Sequence, residues 1–205
     1  MKKVAVINYG LGNTYSIQNA VSQNNGSSTL LSDPDKLNEF SHVILPGVGG
    51  FPHAMQMLQE NSMDEALKDF VDTGRPLMGI CLGMQLLFAQ SDENDLTDGL
   101  GLISGKVTRF DSVPGFAIPQ IQWNKVAFNQ LTQLVEGLDQ QFYYFLHSYC
   151  VKEVSHDEVS LVGYSNYAEQ DYVSFVQKNN IIGAQFHPEK SAEQGLKLIN
   201  NFMEL

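Results

Sequence analysis

The 205-residue chain is 43% apolar and 17% charged, the composition of a globular protein large enough to bury one substantial core. Its formal charge of -11, from 23 acidic against 12 basic residues, repels a phosphate backbone, and no Lys/Arg cluster offers a local basic patch, so no nucleic-acid partner is expected. After Lys2 and Lys3 the apolar stretch is only VAVI, too short for a signal-peptide core or a membrane span, and the expected location is the cytoplasm, with no membrane partner.

In chain order, KKVAVINYG reads as a buried strand entering a glycine turn, followed by a helix from Asn13 to about Gln23 on which Ile17, Ala20 and Val21 recur at helical spacing. STLLS and SHVILPG read as strands, the second stopped by Pro46 and Gly47, and helices are expected over Ala54–Gln59 and Met63–Val71. RPLMGI is another apolar strand, and CLGMQLLFAQ has the pattern of a buried helix. The acidic run 91–98 reads as a solvated loop. Strand and helix alternation with short connections predicts a doubly wound α/β unit with a mostly parallel central sheet flanked by helices. From Leu100 to Phe186 the rhythm changes to short strands, KVTRF, FYYFLHSYCV, VSLVGYSNY and YVSFVQKNNIIGAQF, several of them antiparallel, with a hairpin turn at Asn179 and Asn180. The final stretch predicts a helix with Leu196, Ile199, Phe202 and Met203 on its apolar face and Ser191 as N-cap. With no repeat or long linker, residues 1–205 read as a single domain.

Four segments could carry chemistry. Gly79, Cys81 and Gly83 form GxCxG between an apolar strand and an apolar helix, where small neighbours permit the sharp turn that presents a nucleophile and a helix N-terminus favours the thiolate. Taken alone, the pattern fits a buried structural cysteine equally well. In QFHPEKS, His187 and Glu189 stand two apart around Pro188, which is expected to force an extended turn and so let the carboxylate orient the imidazole. Together these supply nucleophile, base and orienter at strand ends on one edge of an α/β sheet. The third segment, LPGVGGF at 45–51, has glycines that allow an amide to turn toward an oxyanion. The fourth, NYGLGN at 8–13, lacks the third glycine of a dinucleotide fingerprint. Cys150, set in an apolar strand, reads as structural. His42, His53 and His156 lack metal-like spacing, and neither metal nor cofactor is expected.

The order PGVG, GxCxGxQ, HPE resembles the class I, cysteine-triad glutamine amidotransferases over essentially the whole chain. NYGLGN, PGVGGF, GICLGMQLLF, WN after a proline, YFLHSY and GAQFHPEKS resemble, within that class, the glutaminase subunit of imidazole glycerol phosphate synthase. The resemblance implies L-glutamine as substrate and a heterodimer with a (β/α)₈ barrel synthase/cyclase subunit that consumes the ammonia in histidine biosynthesis. By position, Cys81 would be the nucleophile, His187 the base and Glu189 its orienter, with the Leu82 and Val48 amides holding the oxyanion. Gly49, Gln85, His147, Ser148 and Tyr149 match segments around glutamine, and Asn13 and Tyr144 match positions near the barrel.

One departure stands out: where the family has His and Gly ahead of Trp-Asn, this chain has Gln120 and Gln122, expected to alter a loop in the partner region. That leaves open a related route, ammonia for amidating a bacterial surface-polysaccharide sugar. A cysteine hydrolase of the α/β-hydrolase type would place its acid well before the histidine, and a flavodoxin-like binding module would make Cys81 incidental.

Overall fold

A computed structural model describes residues 2–205. The first half runs β1 (Lys3–Ile7), α1 (Thr14–Gln23), β2 (Ser27–Leu31), a 3-10 turn at Pro34–Glu39, β3 (His42–Leu45), α2 (Phe51–Glu60), α3 (Met63–Asp72) and β4 (Leu77–Ile80). Each helix carries its strand back to start the next in parallel, which is the only short route between parallel neighbours. β1 pairs in parallel with both β2 and β3, and β3 with β4. The strand residues split by parity. Ala5, Ile7, Val43, Leu45 and Leu77 join the core that includes α2 and α3, while Val4, Val6, Ile44, Met78 and Ile80 join the core that includes α1. Both faces are thus covered, which is why these strands read as unbroken apolar runs.

After α4 (Leu82–Leu86) the chain departs from the expected long helix: β5 (Phe88–Ser91) follows at once. Two backbone bonds to the connection after Gly99, Leu100 N–H to Leu86 O and Ile103 N–H to Leu87 O, draw the chain out of the helix and into sheet pairing. The expected solvated loop is also partly paired. β6 (Thr97–Asp98) lies antiparallel to β5, and the Glu93 carboxylate accepts the Phe51 amide at 2.7 Å at the start of α2, a donor with no partner inside the helix.

The remaining strands are β7 (Ile103–Arg109), β8 (Gln120–Lys125), β9 (Ala127–Phe128), β10 (Phe142–His147), β11 (Tyr149–Val151), β12 (Leu161–Tyr167), β13 (Gln170–Lys178) and β14 (Ile181–Ala184), before the closing helix α5 (Ala192–Met203). The main sheet has the order β2-β1-β3-β4-β14-β13-β11-β7-β5-β6, with β12 and β9 branching from β13; β8 and β10 form a separate antiparallel pair. The expected single strand FYYFLHSYCV is therefore two strands in two sheets, the chain stepping from one to the other at Ser148. The Asn179–Asn180 hairpin forms as expected, Asn179 taking a φ of 52°, and it returns β14 to lie parallel beside β4. On α5 the buried face is Gly195, Leu198, Ile199, Phe202 and Met203, with Leu196 only partly covered. Ser191 stands at the N-cap position but makes no capping bond. Its hydroxyl donates instead to His187 O at 2.6 Å and accepts the Tyr144 amide at 3.0 Å.

Gly83 is the tightest point of this scaffold: a Cβ there would collide with the Leu45 carbonyl oxygen, backbone that cannot swing aside. Gly83→Ala is expected to lower the unfolding free energy by about 3 kcal/mol, read by urea denaturation, whereas Met84→Leu, also buried but volume-conserving, costs under about 1.5 kcal/mol.

Candidate active site

Cys81 occupies the single residue between β4 and α4, with φ 55° and ψ -110°, a backbone conformation that side-chain-bearing residues rarely adopt. The turn is enforced from both sides. A Cβ on Gly79 would sit 2.5 Å from Gly83 O, and the Cys81 amide donates to Ala184 O on β14 at 2.7 Å. α4 has only five residues, so its dipole is weaker than that of the longer helix the sequence suggested.

Because β14 is the parallel neighbour of β4, the residues that follow each strand meet at the same sheet edge. His187 lies three residues beyond β14, its amide donating to Tyr144 O at 2.9 Å. His187 is itself extended (φ -96°, ψ 95°), as a residue before proline must be, but Pro188–Lys190 is a 3-10 turn rather than the extended turn expected. Glu189 nonetheless reaches back, its Oε1 2.9 Å from His187 Nδ1, with both side chains almost fully buried. That bond places the Nδ1 proton toward the carboxylate and leaves Nε2, which has no protein partner among the described residues, for the reacting side. Burial alone would lower the His187 pKa; negative charge on the neighbouring Cys81 and the hydrogen bond and charge of Glu189 outweigh burial and raise it above 6.5. The imidazole therefore favours its protonated form.

A cavity of about 240 Å³ opens over the sulfur, lined by Val48, Gly49, Cys81, Leu82, Gln85, Glu93, Pro119, Leu146, His147, Ser148, Tyr149 and His187. Every expected nucleophile, base, oxyanion and substrate-contacting residue except Glu189, which stands behind His187, is on this wall. Gly49 takes a φ of 98°, and Val48 beside it is 40% exposed. Gln85 spends its side-chain N–H groups on Tyr149 O at 2.9 Å and Gln185 Oε1 at 3.0 Å. His147 Nδ1 bonds Tyr149 O at 2.8 Å, and burial foremost, with the charge on His187, pushes its pKa down to about 4 against that bond, so it is neutral at pH 7. Its ring packs among Phe110, Phe145 and Tyr172, making it a shaping element of the wall.

Two contributors escaped the sequence reading. Glu93 came from a run that looked solvated, and its carboxylate enters the cavity because β5 and β6 pair. Tyr9 belongs to NYGLGN: its buried hydroxyl donates to Pro46 O at 2.8 Å, and Gly12 packs so close that a Cβ would stand 2.9 Å from Pro46 Cβ. NYGLGN is a clamp on the PGVG loop. Its one legible signal was the buried aromatic between strand and glycine turn.

The departure at Gln120 also resolves. It lies in strand β8 rather than in a loop, fully buried opposite His147, with Oε1 accepting from Tyr172 at 3.0 Å; Gln122 is exposed on the same strand. The substitution is a side-chain exchange beneath the pocket. Asn13 starts α1, and both α1 and β10, which carries Tyr144, pack against the Pro188–Lys190 turn. Cys150 is buried and its thiol pushed up to about 12 by burial, in keeping with a structural role. Among the described residues no helix is long and apolar enough to cross a membrane.

The family model for class-I glutamine amidotransferases matches residues 5–205. The imidazole glycerol phosphate synthase subunit HisH of Sulfurimonas denitrificans is 42% identical, the match covering 97% of this chain and 96% of that protein. The same-named subunits of Listeria innocua (40%; 98% and 95% covered) and of a Geobacillus species (38%; 98% and 96%) are similarly related. Among solved structures, PurLQS from Thermotoga maritima shares the fold with a TM-score of 0.76 at 19% identity, covering 100% of this chain and 99% of that one. With a cysteine elbow, a histidine–glutamate pair just beyond the adjacent strand and a full-length family match, the chain belongs to the class-I glutamine amidotransferases.

Proposed function

We propose that the chain is the glutaminase subunit of an imidazole glycerol phosphate synthase, working as one amidotransferase domain that hydrolyses L-glutamine and passes ammonia to a (β/α)₈ barrel partner in histidine biosynthesis. The observation that carries the chemistry is the Cys81–His187–Glu189 arrangement across β4 and β14, opening on a cavity. The pathway rests on the 38–42% identity to the named subunits.

In this reading the Cys81 thiolate attacks the side-chain amide carbon of glutamine, and the Leu82 and Val48 amides hold the oxyanion. The imidazolium of His187 gives its Nε2 proton to the departing nitrogen, so ammonia leaves and a γ-glutamyl thioester remains. Neutral His187 then takes a proton from water, which attacks the thioester; glutamate departs and the thiolate and imidazolium are restored. Glu189 keeps the ring in the one orientation that serves both steps. Gly49, Gln85, Ser148 and Tyr149 surround the substrate, His147 shapes the wall, and Glu93 supplies a carboxylate for the substrate ammonium.

Ammonia that reaches bulk water is protonated and loses its nucleophilic lone pair, so a docked consumer is required. The outward face of the β8–β10 pair suits it. Ile121 (58% exposed), Trp123 (46%) and Phe142 (50%) are bare apolar groups, and the register sets Ile121 opposite Leu146 and Trp123 opposite Tyr144. Leu146 also lines the cavity, so this face adjoins the site where ammonia forms. An apolar face of this kind, rich in aromatics, is the composition of a protein interface core.

Cys81→Ala is expected to abolish glutamine-dependent synthesis by the subunit mixture while ammonia-dependent synthesis persists; retention of glutamine use would defeat the assignment. Glu93→Gln should raise KM for glutamine about tenfold or more at little cost in kcat, because it removes an ion pair to a non-reacting group. Trp123→Ala should weaken association with the barrel subunit at least tenfold by calorimetric titration, without changing the unfolding midpoint of the free chain. Wild-type chain alone should hydrolyse glutamine slowly and be stimulated by that subunit.

A further inference from the structure

The Cys81 sulfur has two polar neighbours besides His187: the thiol reaches Leu146 O at 3.6 Å, and Gln185 Nε2 reaches the sulfur at 3.8 Å, within the longer range of a sulfur acceptor. Gln185 is fully buried, and a buried amide is costly unless both its ends are engaged. Its orientation is dictated from a distance. The Tyr149 carbonyl can only accept, so it fixes the nitrogen of Gln85 toward itself; the second N–H of Gln85 then meets Gln185 Oε1, and this turns the Gln185 nitrogen to the sulfur. Backbone bonding of Gln185 N–H to Ser174 O at 2.9 Å anchors the residue on β13. Phe186, between Gln185 and His187, packs on Tyr143 at a centroid distance of 4.1 Å and locks the segment.

We propose that Gln185 is a positioning residue for the glutaminase reaction, its side-chain amide donating to the Cys81 thiolate and holding it against the His187 imidazolium. This rests on Cys81 being the nucleophile. A donor to sulfur stabilises the anion and has nothing to gain from the thiol proton, whereas the Leu146 carbonyl favours the thiol; the amide relay from Tyr149 tips that balance toward the reactive form. The titratable groups around the sulfur are His187, Glu189 behind it, His147 on β10 and Tyr9 after β1, and none of them is altered by replacing Gln185.

The test is the pH dependence of Cys81 alkylation by iodoacetamide on the full chain, followed by mass spectrometry; buried Cys150 does not compete. Gln185→Met, which keeps the volume and removes the donor, is expected to slow alkylation near neutral pH about tenfold, to move the pH midpoint upward, and to leave the high-pH plateau unchanged. Gln185→Glu, which puts an acceptor against the sulfur, should move it further. Glutamine-dependent turnover with the partner should lose kcat at unchanged KM. A folded Gln185→Met with the wild-type midpoint would overturn the proposal, even if its thermal stability fell, because a packing role lowers stability alone. Should Gln185→Met not fold, Gln185→Glu, of nearly the same size, decides on the same readout. If instead Cys81→Ala still hydrolyses glutamine, the nucleophile assignment fails, an outcome distinct from an unmoved midpoint.

Discussion

The site is organised by the hydrogen bond from the Cys81 amide to Ala184 O, which ties the sharpest turn of the chain to the end of its parallel neighbour. Cys81 holds a φ/ψ pair that costs on the order of 1–3 kcal/mol, and such a conformation persists only where its surroundings over-determine it. Here they do. Gly79 and Gly83 let α4 press onto the ends of β3 and β4, and β14 pins the amide. The strain is local, and what it secures is adjacency: Cys81 and the residues after β14 share one sheet edge across a chain separation of about a hundred residues.

Around that bond the buried polar groups form a sparse, directional set. Glu189 sets the His187 tautomer, Ser191 and the Tyr144 amide hold the turn that carries them, and Tyr149 orients Gln85, which in turn directs the Gln185 amide to the sulfur. Each is a bond in a low-dielectric place, where a satisfied network rigidifies and an unsatisfied one is costly. His187 Nε2 is left unpartnered on the cavity side. Ser191 illustrates the trade: it gives up helix capping to hold the histidine backbone, and α5 begins without a side-chain cap.

The β8–β10 pair lies between the pocket and an exposed apolar face. Its inner side presents Gln120, Tyr143, Phe145 and His147 to the core, while its outer side leaves Ile121, Trp123 and Phe142 in solvent, so one thin layer separates the pocket wall from the apolar face. Leu146 belongs to both. A partner seated there would press on the strand whose carbonyls contact Cys81 and His187.

Much of this was legible in residue order. Unbroken apolar runs over 4–7, 43–45 and 77–80 announce strands covered on both faces, the Asn179–Asn180 pair announces the hairpin, and the spacing in GxCxG and HPE marks the candidate reactive residues, because these features act over a few residues and local sterics dictate them. The misreadings share a different cause. α4 stops at Leu86 because carbonyls of Leu86 and Leu87 are claimed by residues 100 and 103; Glu93 leaves a seemingly solvated run for the pocket because β5 and β6 pair; Ser191 abandons its cap for His187; and Gln185, an unremarked letter before Phe186, meets Cys81. Strand and helix periodicity indicated the fold class and the parallel half, while motif order and the family resemblance pointed to Cys81 and His187 as candidate nucleophile and base. Which polar groups face the sulfur, and which apolar ones stay exposed, came from long-range strand pairing, since a hydrogen bond between residues a hundred positions apart leaves no period in the sequence to read.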